Sequence, residues 1–307
     1  MADQIAGEDV TSMIVFAPAG IAEVTTGTDL VAMILAAVAA DPRGPLHPGD
    51  VVVVTSKIIS KHEGRRRPAA ELATALAAES VRTVTRRGPM SVVESRLGLV
   101  QPAAGIDRSN VDAADILLLP LDPDASAARL HQGLSAAVGG AVGVIVSDTA
   151  GRTWRLGQTD HALGAAGVRV VAAYAGRRDA YGNELQVTAT ALADELAAAG
   201  DLVKRKLGRR PVAVVRGLSA LVGPDTGRAA DLLRPSAEDL FRHGARESVL
   251  AALLSAVGAP ERLEAVIALD DPAAIVDAIS AGRGLTADQV ELLTRSVIAA
   301  CSPWVGA

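Results

Sequence analysis

Residues 144–160 carry the densest set of side chains able to do chemistry. A short apolar run ends at Ser147-Asp148-Thr149, and Arg152, Trp154, Arg155, Gln158, Thr159 and Asp160 follow. The carboxylate of Asp148 and the hydroxyl of Thr149 are hard oxygen donors suited to a divalent cation. Arg152 and Arg155, with Gln158, suit a phosphate or carboxylate group. Gly151 and Gly157 let the backbone turn among them. A polar surface turn after a strand has much the same composition, so the segment gains weight only because similar clusters recur.

A second cluster is Thr55-Ser56-Lys57-Ile58-Ile59-Ser60-Lys61. Read as an extension of the preceding strand, it places Ser56, Ile58 and Ser60 on one face and Lys57, Ile59 and Lys61 on the other. A third, Asp107-Arg108-Ser109-Asn110, follows Gly105; Asp107 can ligate a metal and Asn110 can read a base or sugar, and an Asx-turn is the structural alternative. Of the 30 basic residues only four are lysine, in two tight pairs, Lys57 with Lys61 and Lys204 with Lys206. Lysine meets a phosphate oxygen as a compact point charge, without the planar geometry that arginine demands. The histidines, at positions 47, 62, 131, 161 and 243, make no metal pair at helical spacing. No glycine-rich dinucleotide fingerprint or Walker-type phosphate loop is present. Separated aspartates, hydroxyls, lysines and arginines fit metal-assisted phosphate chemistry. The pattern alone reaches a metal- and phosphate-dependent enzyme and stops there.

The 307 residues can bury a substantial core as one large domain or two. Hydrophobic residues make up 50% but aromatics only 2%, so that core must be built of Ala, Val, Leu and Ile. A net charge of −5 argues against a general nucleic-acid binder. No apolar run approaches the roughly 20 residues that span a bilayer, and the N-terminus lacks the basic flank and apolar core of a signal peptide. Cys301 stands alone, which excludes an internal disulfide framework and a cysteine-based zinc site. A soluble, cytoplasmic protein is expected, with no membrane or nucleic-acid partner.

The elements that must hold these clusters interleave. Strands are expected at Met13–Ala17, Val51–Thr55, Val81–Thr85, Ile116–Leu121, Ala141–Val146, Val168–Ala173 and Pro211–Arg216. Helices are expected at Leu30–Ala40 behind a Thr28-Asp29 cap, at Pro68–Glu79, at Ala127–Ala137 with Ser126 as cap, and at Thr188–Leu202. From about Pro235 the pattern becomes helical, at 237–254, 260–269, 272–279 and 286–300. Irregular strand spacing with hairpin-length gaps favours an α+β fold, with mixed or antiparallel sheets, over a regular doubly wound sheet.

Several ordered segments resemble the coenzyme F420:L-glutamate ligase family. They include Gly20-Ile-Ala-Glu23, Val51 to Gly64, Glu94 to Val100, Ala104 to Val111, Leu119 to Ser126, Ser147 to Asp160, Tyr181 to Thr188 and Val212 to Gly217. The resemblance implies a ligase domain over residues 13–235, with 236–307 as a helical C-terminal extension. It further implies an intertwined α+β homodimer that uses GTP to join L-glutamate to the carboxylate of coenzyme F420-0 or its dehydro form. The implied route is an acyl phosphate, and the product can grow into a γ-linked polyglutamate tail.

Carried over by position, Ile21, Ala22, Glu23 and Val24 would line the GTP site, with Ser56, Lys61 and Asn110 also on the nucleotide. Asp107, Asp148 and Thr149 would hold Mg²⁺ or Mn²⁺, with potassium as a further cation. Arg152, Arg155 and Gln158 are assigned to substrate carboxylates or phosphate, and Lys61 serves phosphoryl transfer. The chain departs from the family around Lys204-Arg-Lys206-Leu-Gly208. There some members carry a glutamine metal ligand and this sequence has basic residues, so Lys204 and Lys206 are assigned to the polyphosphate and the resemblance does not carry a second metal site. The residues after Pro235 are too few for the flavin-binding domain of two-domain relatives, so no FMN is expected. The competing expectation is a non-catalytic partner that binds a nucleotide or deazaflavin for another enzyme.

Overall fold

A computed structural model describes residues 12–109, 112–224, 226–235 and 238–302. The chain divides into two compact units. The first comprises the residues up to Ala70 together with Asp107–Leu233, and the second comprises Glu71–Ile106 together with Arg234 onward. The segment after Pro235 thus clusters with an insertion at 71–106, a grouping along different lines from a division at residue 235.

The first unit is built on a five-stranded mixed sheet of β1 (Ile14–Phe16), β2 (Val51–Thr55), β8 (Gly143–Arg152), β9 (Arg155–Ala166) and β12 (Val212–Arg216), in the order β1-β12-β2-β8-β9. Only the β2–β8 pair is parallel. The run Val51 to Val54 is wholly buried because both faces of β2 are covered. Val52 and Val54 pack with Val144, Val146, Val212 and Val214 against α1 (Leu30–Ala40) and α4 (Pro123–Val138). Val51 and Val53 pack with Ile145, Ala213 and Val215 against α5 (Leu192–Lys204). The sheet is therefore the middle layer of three. α2 (Ser56–His62), the short pair β3 (Arg66–Pro68) with β7 (Asp115–Leu117), and the pair β10 (Ala172–Ala173) with β11 (Ala189–Thr190) complete this unit.

The second unit holds α3 (Leu72–Glu79) and an antiparallel sheet of β4 (Ser80–Arg87), β5 (Met90–Ser95) and β6 (Val100–Pro102). With it go α6 (Ala245–Ala256), α7 (Leu263–Ile267), α8 (Pro272–Ser280) and α9 (Ala287–Cys301), around a core that includes Leu250, Leu254, Ile275, Ile279 and Val297. The α+β reading holds, with mixed and antiparallel sheets. No helix among the described residues is long and apolar enough to cross a membrane.

Three local readings are corrected. Ser56 to Lys61 is not strand but helix: the chain turns at Thr55 into α2, so Lys57 and Lys61, four residues apart, still share a face but Ile59 no longer lies on it between them. The β-branched propensity of Ile58 and Ile59 yields to their burial against the sheet. The stretch after Val146 is not a loop, because β8 runs on to Arg152 and returns as β9 in a long hairpin. Finally, α4 starts four residues before Ala127. Asp122 is its cap, accepting from the Ala125 amide at 2.9 Å, and the Ser126 hydroxyl donates instead to Glu63 at 2.6 Å.

Candidate functional site

The C-terminal end of β2, the parallel strand β8 beside it, and the last turn of α5 meet at one end of the sheet. A cavity of 740 Å³ opens there. Its walls include the loop Gly20 to Val24, Thr55, Lys57 and Lys61 from the start of α2, Asp148 and Thr149 from β8, Asp160 from β9, and Lys204 to Lys206. All four lysines of the chain line it, although the two pairs stand far apart in the sequence. Arg205, Arg209 and Arg210 add to the same wall, so basic residues outnumber acidic ones. An anionic ligand is the natural occupant of such a cleft.

Strand alternation decides what each β8 side chain meets. Ser147 and Thr149 point toward α5 and Asp160. Ser147 donates to Asp160 Oδ2 and Thr149 to Asp160 Oδ1, each at 2.8 Å. Lys204 Nζ lies 2.8 Å from Asp160 Oδ2 and 2.8 Å from the Ser147 hydroxyl, buried inside the protein. Burial works against the Asp160 charge, but Lys204 and the two hydroxyls hold its carboxyl below the usual carboxylate range.

Asp148 faces the other way, toward α2. Burial pushes its carboxyl up to about 6, although the Thr149 amide, the Ser56 hydroxyl and Lys57 all favour the charge. The negative charge of Asp160 adds to the rise. Asp148 is therefore a carboxylate short of positive charge in an otherwise basic cleft. Lys61 is buried and ion-paired with the exposed Glu23. Lys57 Nζ lies 2.5 Å from Asp107 Oδ2 and 2.5 Å from Ser109 Oγ.

The residues singled out in the sequence are distributed as follows. Ile21, Ala22, Glu23, Val24, Lys61, Asp148, Thr149, Lys204 and Lys206 all line the cleft. Ser56 is buried behind it at the start of α2, against Asp148. Asp107 is outside the lining, tied to Lys57, Ser109 and the Ser109 amide. Asn110 lies outside the described residues. Arg152, Arg155 and Gln158 are not brought to the cleft of this chain: β8 and β9 run straight past it, and these residues sit toward the exposed end of the hairpin. Lys204 is engaged by Asp160 rather than projecting freely, so of the two lysines Lys206 is the one exposed to a ligand.

Sequence reasoning gives Lys57 only a general suitability for phosphate and assigns no role in the site to Asp160, Asp201 or the arginines at 205, 209 and 210. The pairing of lysines in an arginine-rich chain is the available signal for Lys57. Asp160 ends the hairpin motif but has no visible partner until α5 is placed.

The donor set can be tested against a divalent cation. Among the described residues, no three His, Cys, Asp or Glu side chains are grouped to hold a metal by themselves. Mg²⁺ does not require such a cage, since it is usually held by one or two carboxylates with waters and substrate phosphates. Asp148, under-neutralised in a cleft rich in phosphate-seeking cations, fits that mode.

The chain matches the family model described as F420-0:Gamma-glutamyl ligase over residues 20–90 and 67–217. It is 37% identical over 247 residues to a coenzyme F420:L-glutamate ligase of Archaeoglobus fulgidus, covering 74% of this chain and 96% of that protein. Proteins with the same name from Halorubrum lacusprofundi and Halobacterium salinarum are 39% and 38% identical, each over 66% of this chain and over 87% and 85% of their own lengths. The matched span contains all the lining residues of the cleft except Ala19, and on this extent of similarity the chain belongs to the F420-0:gamma-glutamyl ligase family.

Proposed function

We propose that the chain uses GTP to join L-glutamate, through an amide bond, to the terminal carboxylate of coenzyme F420-0 or its dehydro form. The observation that carries this reading is the convergence of all four lysines and the Gly20–Val24 loop on one cleft beside Asp148 and Thr149. In the reaction the F420-0 carboxylate oxygen attacks the γ-phosphorus of GTP, the bond to GDP breaks, and an acyl phosphate forms. The glutamate amine then attacks the acyl carbon. The carbon–nitrogen bond forms, phosphate leaves, and the amine loses a proton.

Lys57, Lys61 and Lys206 neutralise charge on the polyphosphate, which is the main task in phosphoryl transfer. Ile21, Ala22, Glu23 and Val24 line the nucleotide, with Ser56 and Asn110 as further contacts. Asp148 and Thr149, with Asp107 once it is released from Lys57, would hold Mg²⁺ or Mn²⁺. That ion, with potassium as a further cation, supplies charge neutralisation across the phosphate oxygens when bound. Trp154 and Leu156 at the end of the hairpin are largely exposed, which supports a homodimer in which that end meets a second chain. Arg152, Arg155 and Gln158 serve substrate carboxylates in that assembly. The enzyme acts in the cytoplasm and can extend the product to a γ-linked polyglutamate.

The test is mass spectrometry of the deazaflavin after incubation of the purified protein with F420-0, L-glutamate, GTP and Mn²⁺. Addition of one or more glutamyl units, lost when GTP is withheld, is the expected result. No added mass with either F420-0 or its dehydro form, from a verified folded protein, would overturn the reading.

A further inference from the structure

A threonine hydroxyl is a useful cation ligand only if its hydrogen is directed elsewhere, leaving the lone pairs toward the ion. The hairpin register provides that direction for Thr149. Thr149 and Asp160 are paired residues of β8 and β9, and the Thr149 hydroxyl donates to Asp160 Oδ1 at 2.8 Å. The other oxygen of Asp160 accepts from Ser147 and from Lys204, each at 2.8 Å. Three protein donors thus occupy most of the acceptor capacity of this carboxylate. Although it lies in the cleft wall, Asp160 has little left to offer a metal.

Lys204 also donates to Ser147 at 2.8 Å, so its ammonium sits within a closed set of oxygens, with the Lys204 and Asp160 side chains only 6% and 4% exposed. It cannot leave without stranding the Asp160 charge. We propose that Asp160 is a positioning residue of the cleft: it takes the Thr149 hydrogen so that the Thr149 oxygen keeps its lone pairs for a cation in the cleft. Lys204 is the tethered cation that keeps Asp160 in that task. This inference rests on the metal-dependent reading of the cleft given above.

A buried ion pair can be purely structural, and replacing both partners by neutral groups is then close to neutral. The two roles separate in Mn²⁺ binding to the nucleotide-free protein, followed by electron paramagnetic resonance, with melting temperature measured alongside. Asp160→Ala/Lys204→Met removes both charges and the acceptor; Mn²⁺ affinity is expected to fall about tenfold or more, the range seen when a ligand's supporting partner is lost. Thr149→Val is expected to give a similar loss, and combining it with the double variant should add little, because one chain of contacts is being cut. Asp160→Asn/Lys204→Met, whose amide oxygen still accepts from Thr149, should recover most of the affinity.

Wild-type Mn²⁺ affinity in a folded Asp160→Ala/Lys204→Met protein would overturn the inference. If that variant does not fold, Asp160→Glu keeps the ion pair but shifts the carboxylate by one methylene. Reduced Mn²⁺ affinity in it supports the positioning role, and unchanged affinity overturns it. Asp148→Asn is the reference: unchanged Mn²⁺ binding there removes the metal assignment itself, and the inference with it, whereas loss there with full retention in the Asp160 variants overturns the inference alone.

Discussion

Lys57 Nζ holds Asp107 Oδ2 at 2.5 Å, joining the start of α2 to a segment fifty positions further along the chain. Burial opposes the charge on Asp107, but the Lys57 ammonium and the Ser109 donors hold its carboxyl below the usual range. The same ammonium also favours the ionised form of Asp148. One lysine therefore stands between two carboxylates that the proposed function assigns to a metal.

Lys57→Met should consequently separate nucleotide from metal binding. Loss of a phosphate-neutralising cation is expected to weaken GTP by roughly tenfold, about 1.4 kcal/mol. Mn²⁺ should bind at least as well as before, because Asp107 loses its competitor. Calorimetric titration with each ligand checks this, and a parallel loss of both affinities would show that Lys57 supports the metal ligands rather than competing with them.

Asp148 gives a prediction in pH. Its carboxyl, ordinarily near 3.8, is pushed up to about 6 by burial. Between those values the folded protein holds the proton more tightly than the unfolded chain. Stability therefore falls as pH rises through that window, and above it the cost is on the order of 3 kcal/mol. Asp148→Asn removes the cost along with the charge. Its melting temperature at pH 8 should equal or exceed that of the wild type, with the advantage vanishing near pH 4, while ligase turnover is lost. A variant that melts well below the wild type at pH 8 would mean that the ionised carboxylate stabilises the fold instead.

What the sequence disclosed and what it hid have physical causes. Val51 to Val54 announced a strand covered on both sides because only a buried strand can be apolar at every position. Ser56 to Lys61 hid its helix because two isoleucines mimic a strand, and only packing against the sheet selects the helical alternative. The Ser147–Asp160 hairpin hid in its polarity: beyond the cleft both strands are exposed, so no alternation of apolar and polar residues marks them. The cleft was half legible. Asp148, Thr149 and Lys61 carry their chemistry in their residue types, whereas Asp160 means little until Lys204 arrives from α5.

The cap of α4 offers a control that should leave the chemistry alone. Asp122 accepts the Ala125 amide at 2.9 Å, and neither residue lines the cleft. Asp122→Ala is expected to cost about 1 kcal/mol of stability, with GTP and Mn²⁺ affinities unchanged. Chemical denaturation and the same two titrations decide it; weakened ligand binding without a loss of stability would place α4 in the site after all.

Gly200 sets the position of Lys204, one helical turn further along the buried face of α5. A Cβ at Gly200 would come within 2.9 Å of Val53 Cγ1, and Val53 is a stiff β-branched side chain fully buried in β2. Glycine inside a helix costs about 1 kcal/mol relative to alanine, so its presence is explained by the close approach of helix to sheet. In Gly200→Ala the gain in helix propensity is opposed by overpacking of roughly 1–3 kcal/mol. The net stability change is then small, but the helix must move away from β2 and carry Lys204 away from Asp160 and Ser147. Mn²⁺ affinity is expected to fall several-fold while the melting temperature drops by only a few degrees. Adding Val53→Ala, which clears the space, should restore the affinity at the expense of stability. If Gly200→Ala binds Mn²⁺ as the wild type does, the helix–sheet spacing is not what aligns Lys204 with the cleft.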